Sequence, residues 1–175
     1  MATEQEKTID ALKYAIQMEI DGKVFYLKSA EESGNELGRK LLVSLAEAED
    51  YHRIKFEEIF KALSNKQGWK QVEFKVDGGK TMRTIFAKEL SKPPSQIKPL
   101  KSELDAVQKA RQMEAKSYDF YHARSEQAES SAEREYYNLI AAEEREHQLV
   151  LVDYDEYLRN PAAWYVKTEK PSFEI

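Results

Sequence analysis

The chain has 175 residues, 34% of them charged and 41% hydrophobic, with a formal net charge of −5: long enough for a single domain with its own core, without the basic field that a nucleic-acid partner needs. No apolar run approaches a bilayer span, and Met1-Ala2-Thr3-Glu4-Gln5 lacks the basic start and apolar stretch of a signal peptide, so a cytoplasmic protein without membrane contact is expected. The absence of cysteine excludes disulfides, thiolate chemistry and Cys-ligated zinc or iron-sulfur clusters, so any metal must be held by oxygen and imidazole.

Thr3-Glu4-Gln5-Glu6 is a capping-box pattern, with Thr8 as a second candidate cap, and a first helix starts there. Leu12, Ala15, Glu19, Gly22, Tyr26 and Ala30 recur at threes and fours on one face of it, and Ser33-Gly34-Asn35 stops it. From Glu36 the period resumes through Leu41, Leu45, His52, Phe56, Ile59 and Leu63, ending near Asn65 and Gly68. Two long helices joined by so short a turn lie antiparallel.

Residues from about 66 to 101 break the rhythm and form a crossover. Val72, Phe74 and Val76 alternate with polar residues up to Asp77-Gly78-Gly79, the pattern of a small β-hairpin, and Pro93, Pro94 and Pro99 oppose a long helix. A third helix is expected from Ser102 through Val107, Ala110, Glu114, Ser117 and Tyr121 to about Glu129. A fourth runs from about Ala132 through Tyr136, Ile140, Glu144, His147 and Leu151 to Arg159-Asn160-Pro161. The tail, about 161–175, carries Trp164, Tyr165 and Phe173, aromatics suited to docking on the bundle or on a partner.

A repeat lies inside this layout. Gln17-Met18-Glu19 returns as Gln112-Met113-Glu114, and Glu49-Asp50-Tyr51-His52 as Glu144-Arg145-Glu146-His147. Thirty positions separate Glu19 from Glu49 and Glu114 from Glu144, and the copies are offset by 95. In an antiparallel hairpin, residues equidistant from the turn share a height, and the two midpoints fall near residues 35 and 130, at Gly34-Asn35 and Ser130-Ser131. Each hairpin therefore brings one lone Glu and one Glu-x-x-His to a common level. One Glu-x-x-His on a charged helix is ordinarily a solvated pair; two, each matched by a Glu at equal separation on an inward face, are a metal inventory. Four buried carboxylates would be prohibitively costly alone, whereas two divalent ions bring the site near neutrality. Tyr26 and Tyr121, each seven residues after a lone Glu, suit either the core or hydrogen bonds to the ligands. His122 lies off the ligand face.

One Glu, then Glu-x-x-His, a long crossover and the same again resembles the carboxylate-bridged di-metal pattern of ferritin-like four-helix bundles. Glu19-Ile20-Asp21-Gly22-Lys23-Val24-Phe25-Tyr26 and Ala46-Glu47-Ala48-Glu49-Asp50-Tyr51-His52 are most similar to the rubrerythrin branch, over about residues 8–160. The resemblance implies an all-α bundle of two antiparallel hairpins in one domain over 1–175. It also implies a non-haem site of two iron ions on Glu19, Glu49, His52, Glu114, Glu144 and His147, and reduction of hydrogen peroxide or dioxygen with electrons from a separate donor protein. Manganese or a mixed pair suits the same donors, and a metal-binding or iron-oxidising storage role without turnover is the alternative. Two departures stand out. The residues include no Cys-ligated electron relay, and Ser117 stands where rubrerythrins carry a further Glu one turn after the third-helix ligand. A nearly two-fold symmetric site is expected from this, with room for peroxide in a gap beside the small residues Gly22 and Ser117. The layout also predicts a homodimer, compatible with exchange of hairpins between copies.

Overall fold

The computed structural model describes residues 3–91 and 100–168. It is all-helical and ferritin-like, with no strand among the described residues. Four long helices, α1 (Glu4–Glu32), α2 (Glu36–Ser64), α4 (Lys101–Gln127) and α5 (Ser131–Arg159), are joined by the short α3 (Lys80–Leu90) and followed by α6 (Pro161–Thr168). α1 packs along α2 and α4 along α5, and the hairpins meet through α1 against α4 and α2 against α5.

The ends form where the sequence places them. The Thr3 hydroxyl accepts from the Glu6 N–H at 3.2 Å, and the Glu6 carboxylate accepts from the Thr3 N–H at 2.7 Å, a reciprocal box that satisfies two donors left over at a helix start. Asn35 caps α2 through the Gly38 N–H at 2.7 Å, and Ser130 caps α5 through the Glu133 N–H at 3.1 Å. The second hairpin is tied to the turn of the first by Glu103. One of its carboxylate oxygens accepts from the Ser33 hydroxyl (2.7 Å), the Gly34 N–H (3.1 Å) and the Asn35 side-chain amide (2.8 Å).

The crossover departs from expectation. Residues 71–77 form no β-hairpin but an extended strap laid across the bundle, with Val72 and Phe74 packed against the cluster that contains Phe56, Tyr136 and Tyr137. The Lys75 N–H donates to the Tyr51 hydroxyl at 2.7 Å instead of to a partner strand. An alternating pattern fits a strap with one side on a core as well as it fits a paired strand. Asp77-Gly78-Gly79 does turn, with φ of 58° and 72° at the two glycines, but it turns into α3, and Asp77 accepts from the Thr81 N–H at 3.0 Å. Pro93, Pro94 and Pro99 lie outside the described residues, as does Phe173. Pro161 does not merely end α5: it is the first residue of α6, where a missing N–H costs nothing. Trp164 and Tyr165 on α6 are buried on the chain's own bundle, with Trp164 against Phe86 of α3 and Tyr157 of α5.

Candidate metal centre

The apolar stripe that buries Leu12, Ala15, Tyr26 and Ala30 of α1 carries Glu19 inward with it, and the equivalent stripes carry Glu49 and His52, Glu114, and Glu144 and His147. All six residues are at most 4% exposed. They converge as two overlapping groups, Glu19-Glu49-His52-Glu144 and Glu49-Glu114-Glu144-His147, whose ligand atoms lie within 4.8 Å of one another. Glu49 and Glu144 belong to both, while Glu19 and Glu114 each belong to one. All six come from one chain, so the cluster forms without exchange of hairpins.

The distances are those of donors around a common ion. His52 Nδ1 lies 3.5 Å from Glu19 Oε2 and 3.1 Å from Glu144 Oε1; His147 Nδ1 lies 3.5 Å from both Glu49 Oε1 and Glu114 Oε2. Two donors each about 2.1 Å from one ion are about 3.0 Å apart at a right angle and about 3.4 Å apart at the tetrahedral angle. None of these approaches has hydrogen-bond geometry. Glu19 Oε2, Glu49 Oε1, Glu114 Oε2, both Glu144 oxygens and both Nδ1 atoms are buried without a hydrogen-bond partner. Orphaned acceptors in this number, pointed at one another, are what a divalent cation satisfies and what a packed core does not tolerate. The donor set therefore fits metal.

The outer oxygens are held from the opposite hairpin. The Tyr26 hydroxyl on α1 donates to Glu114 on α4, and the Tyr121 hydroxyl on α4 donates to Glu19 on α1, both through short hydrogen bonds. The two tyrosines are fully buried core side chains and hydrogen-bond donors at once. Burial, and then the carboxylates beside them, pushes both phenols well above their usual range, so they stay protonated and donate.

Without metal, burial and mutual repulsion disfavour the charged form of the two carboxylates common to both groups. Burial first, then repulsion from Glu19 and Glu114, raises Glu49 well above the carboxylate range; burial, then Glu49, Glu114 and Glu19, does the same to Glu144. Burial opposes the charged form of His147 but is outweighed by Glu114 and Glu49, which raise it. Burial pushes Glu114 up, but His147, Glu144 and Tyr26 together bring it below its usual value.

The expected gap beside Gly22 is not there. A Cβ on Gly22 would meet Glu49 Oε2 at 2.7 Å, so the missing side chain is already replaced by a carboxylate. The position 95 residues on is Ser117, which does carry a side chain, so the two copies of the repeat differ in side-chain volume at this point. Gly22→Ala should therefore displace Glu49 and weaken metal binding while α1 itself remains folded, since alanine favours a helix; helical content and metal uptake, measured on the same sample, check this. His122 is exposed and stacks on Tyr118, away from the cluster.

Sequence reasoning missed what lies outside the two histidines. Their rings are nearly parallel, 13° apart with centroids 5.7 Å apart, and Phe74 of the strap covers His52 at 5.8 Å. Beside them is a cavity of about 240 Å³ between α2, α5 and the crossover, lined among others by Tyr51, Lys75 and Glu143. Glu143 is 3% exposed and accepts from the Gly78 N–H at 2.9 Å. The only signal for it was adjacency to Glu144; its burial depends on a crossover path that residue spacing does not give.

Comparison with known families places residues 10–153 in a match to the family model described as Rubrerythrin. Neither the curated proteins nor the solved structures yield a match.

Proposed function

Since the chain belongs to the rubrerythrin family over residues 10–153, four helices and all six buried donors included, we propose that it is a di-iron oxidoreductase that reduces hydrogen peroxide with electrons from a separate donor protein. The observation that carries this reading is the set of orphaned, mutually facing carboxylate oxygens and imidazole nitrogens at the centre of the bundle. When bound, an iron pair supplies the two electrons that cleave the O–O bond, the balance being one peroxide, two electrons and two protons to two waters.

The chain's own residues set the conditions. Glu49 and Glu144, common to both donor groups, would hold both members of a bound pair, while Glu19 with His52 and Glu114 with His147 would each complete one side. Tyr26 and Tyr121 fix the outer oxygens of Glu114 and Glu19, so these carboxylates keep their orientation as charge at the centre changes. Burial excludes bulk solvent and strengthens every interaction among these groups. With no cysteine in the sequence, no thiolate relay is built from these residues, and electrons arrive from outside.

Sustained turnover is the test. Protein loaded anaerobically with ferrous iron and supplied with a one-electron reductant should consume many equivalents of peroxide. Consumption that stops after one equivalent per iron pair would support the second reading, iron uptake and oxidation without turnover. Ser117 favours that reading, since it leaves the site without the further carboxylate of rubrerythrins.

The raised groups set a pH dependence. Glu49, Glu144 and His147 all titrate above their unfolded values in the metal-free protein, so their contribution to stability is present at low pH and lost as pH rises through the raised values. Metal must displace the same protons, so its affinity rises with pH. The difference in melting temperature between metal-loaded and metal-free protein should widen from about pH 5.5 to about pH 8. A constant difference across a thermal-shift series would contradict proton displacement.

A further inference from the structure

Each imidazole turns Nδ1 toward the carboxylates, 3.1–3.5 Å away, which leaves Nε2 on the opposite edge of the ring. Both rings line the cavity of about 240 Å³ beneath the crossover. Resting on the metal-site reading above, a metal at Nδ1 places the remaining ring proton on Nε2 and makes each histidine an N–H donor toward that cavity. Among the described residues, no protein acceptor is hydrogen-bonded to either Nε2.

Glu143 faces the same space. Its side chain is 97% buried, one oxygen accepts from the Gly78 N–H at 2.9 Å, and the other has no protein donor among the described residues. Metal-ligating imidazoles ordinarily pass their second N–H to a carboxylate, a carbonyl or a water, and that partner orients the ring and raises its basicity. At about 30 Å³ per water, the cavity has room for several. The residue 95 positions earlier, Ala48, also lines the cavity and has no polar side chain, so one carboxylate is available to two donors.

We propose that Glu143 is a positioning residue for both His52 and His147, joined to their Nε2–H groups through waters bound in this cavity. The same carboxylate holds the crossover through Gly78, which ties the strap over the histidines to the orientation of the rings beneath it.

The test uses Co²⁺ as the probe, because its visible absorption reports ligand geometry as well as occupancy. Wild type, Glu143→Gln, Glu143→Ala and Glu47→Gln are titrated against a competing chelator, with the folding of each metal-free protein checked by its melting curve. Glu143→Gln and Glu143→Ala should both bind roughly 10–100-fold more weakly, with a shifted cobalt spectrum in the Gln variant. Glu47→Gln, which removes a charge from the rim of the same cavity, should stay within about twofold of wild type. A Gln variant that binds like wild type would overturn the proposal, because its amide oxygen still accepts from Gly78 and only the latch would matter. An equal loss in Glu47→Gln would overturn it too, reducing the effect to general charge. Wild type that binds no cobalt would fail the metal-site reading itself, an outcome distinct from either.

Discussion

Loading the metal-free protein with ferrous iron should raise its melting temperature by roughly 10 °C, and Glu49→Ala should show almost none of that gain. At free metal about a thousandfold above its dissociation constant, binding stabilises the folded state by about 4 kcal/mol, and for a chain of this size each kcal/mol moves the midpoint by about 2–4 °C. Glu49 is the sensitive position because it belongs to both donor groups, so its loss injures both at once. Glu49→Gln separates this from a folding defect. It keeps the volume but removes a carboxyl that burial and its neighbours already push well above its range, so its metal-free form should melt no lower than metal-free wild type. A Glu49→Ala protein that gains as much as wild type from iron would remove Glu49 from the site.

Gly38→Ala should be among the most destabilising small substitutions in the chain, lowering the melting temperature by roughly 6–12 °C at a cost of about 3 kcal/mol. A Cβ there would lie 1.8 Å from the Tyr154 hydroxyl and 2.7 Å from Ser33 Oγ. Tyr154 is fully buried and its hydroxyl accepts from the Asn35 side-chain amide at 3.0 Å, so a shift of the ring strains or breaks that contact. That amide also donates to Glu103, so displacement spreads into the contact that ties the second hairpin to the turn of the first. Thermal unfolding followed by circular dichroism checks this, and a loss below about 1 kcal/mol would mean that the turn is less tightly packed than its distances indicate.

The long helices and the six donors were legible because each rests on a local rule. The capping box at Thr3 acts within one turn, apolar stripes have a helical period, and in an antiparallel hairpin equal distance from the turn gives equal height. That is why Glu19, Glu49 and His52, and their copies 95 positions on, could be brought to one level from spacing alone. What spacing could not give is contact between elements without a shared period. The strap at 71–77 passes a backbone N–H, that of Lys75, to the Tyr51 side chain, and α6 begins on a proline that also reads as a stop. The position of Glu49 against Gly22 could not be read either, because a glycine on an inward face is equally compatible with open space and with a neighbour's carboxylate. The roles of Tyr26 and Tyr121 stayed divided between core and donor for a similar reason. Each donates across to the other hairpin, over 88 and 102 positions of sequence.

Binding of a pair of metals by these six residues is measured by anaerobic titration of the metal-free protein with ferrous iron, counting the ions retained per chain after gel filtration. Wild type should retain two per chain, and Glu49→Ala should lose both. Retention of fewer than one ion by wild type, or of two by the Glu49→Ala variant, would contradict this.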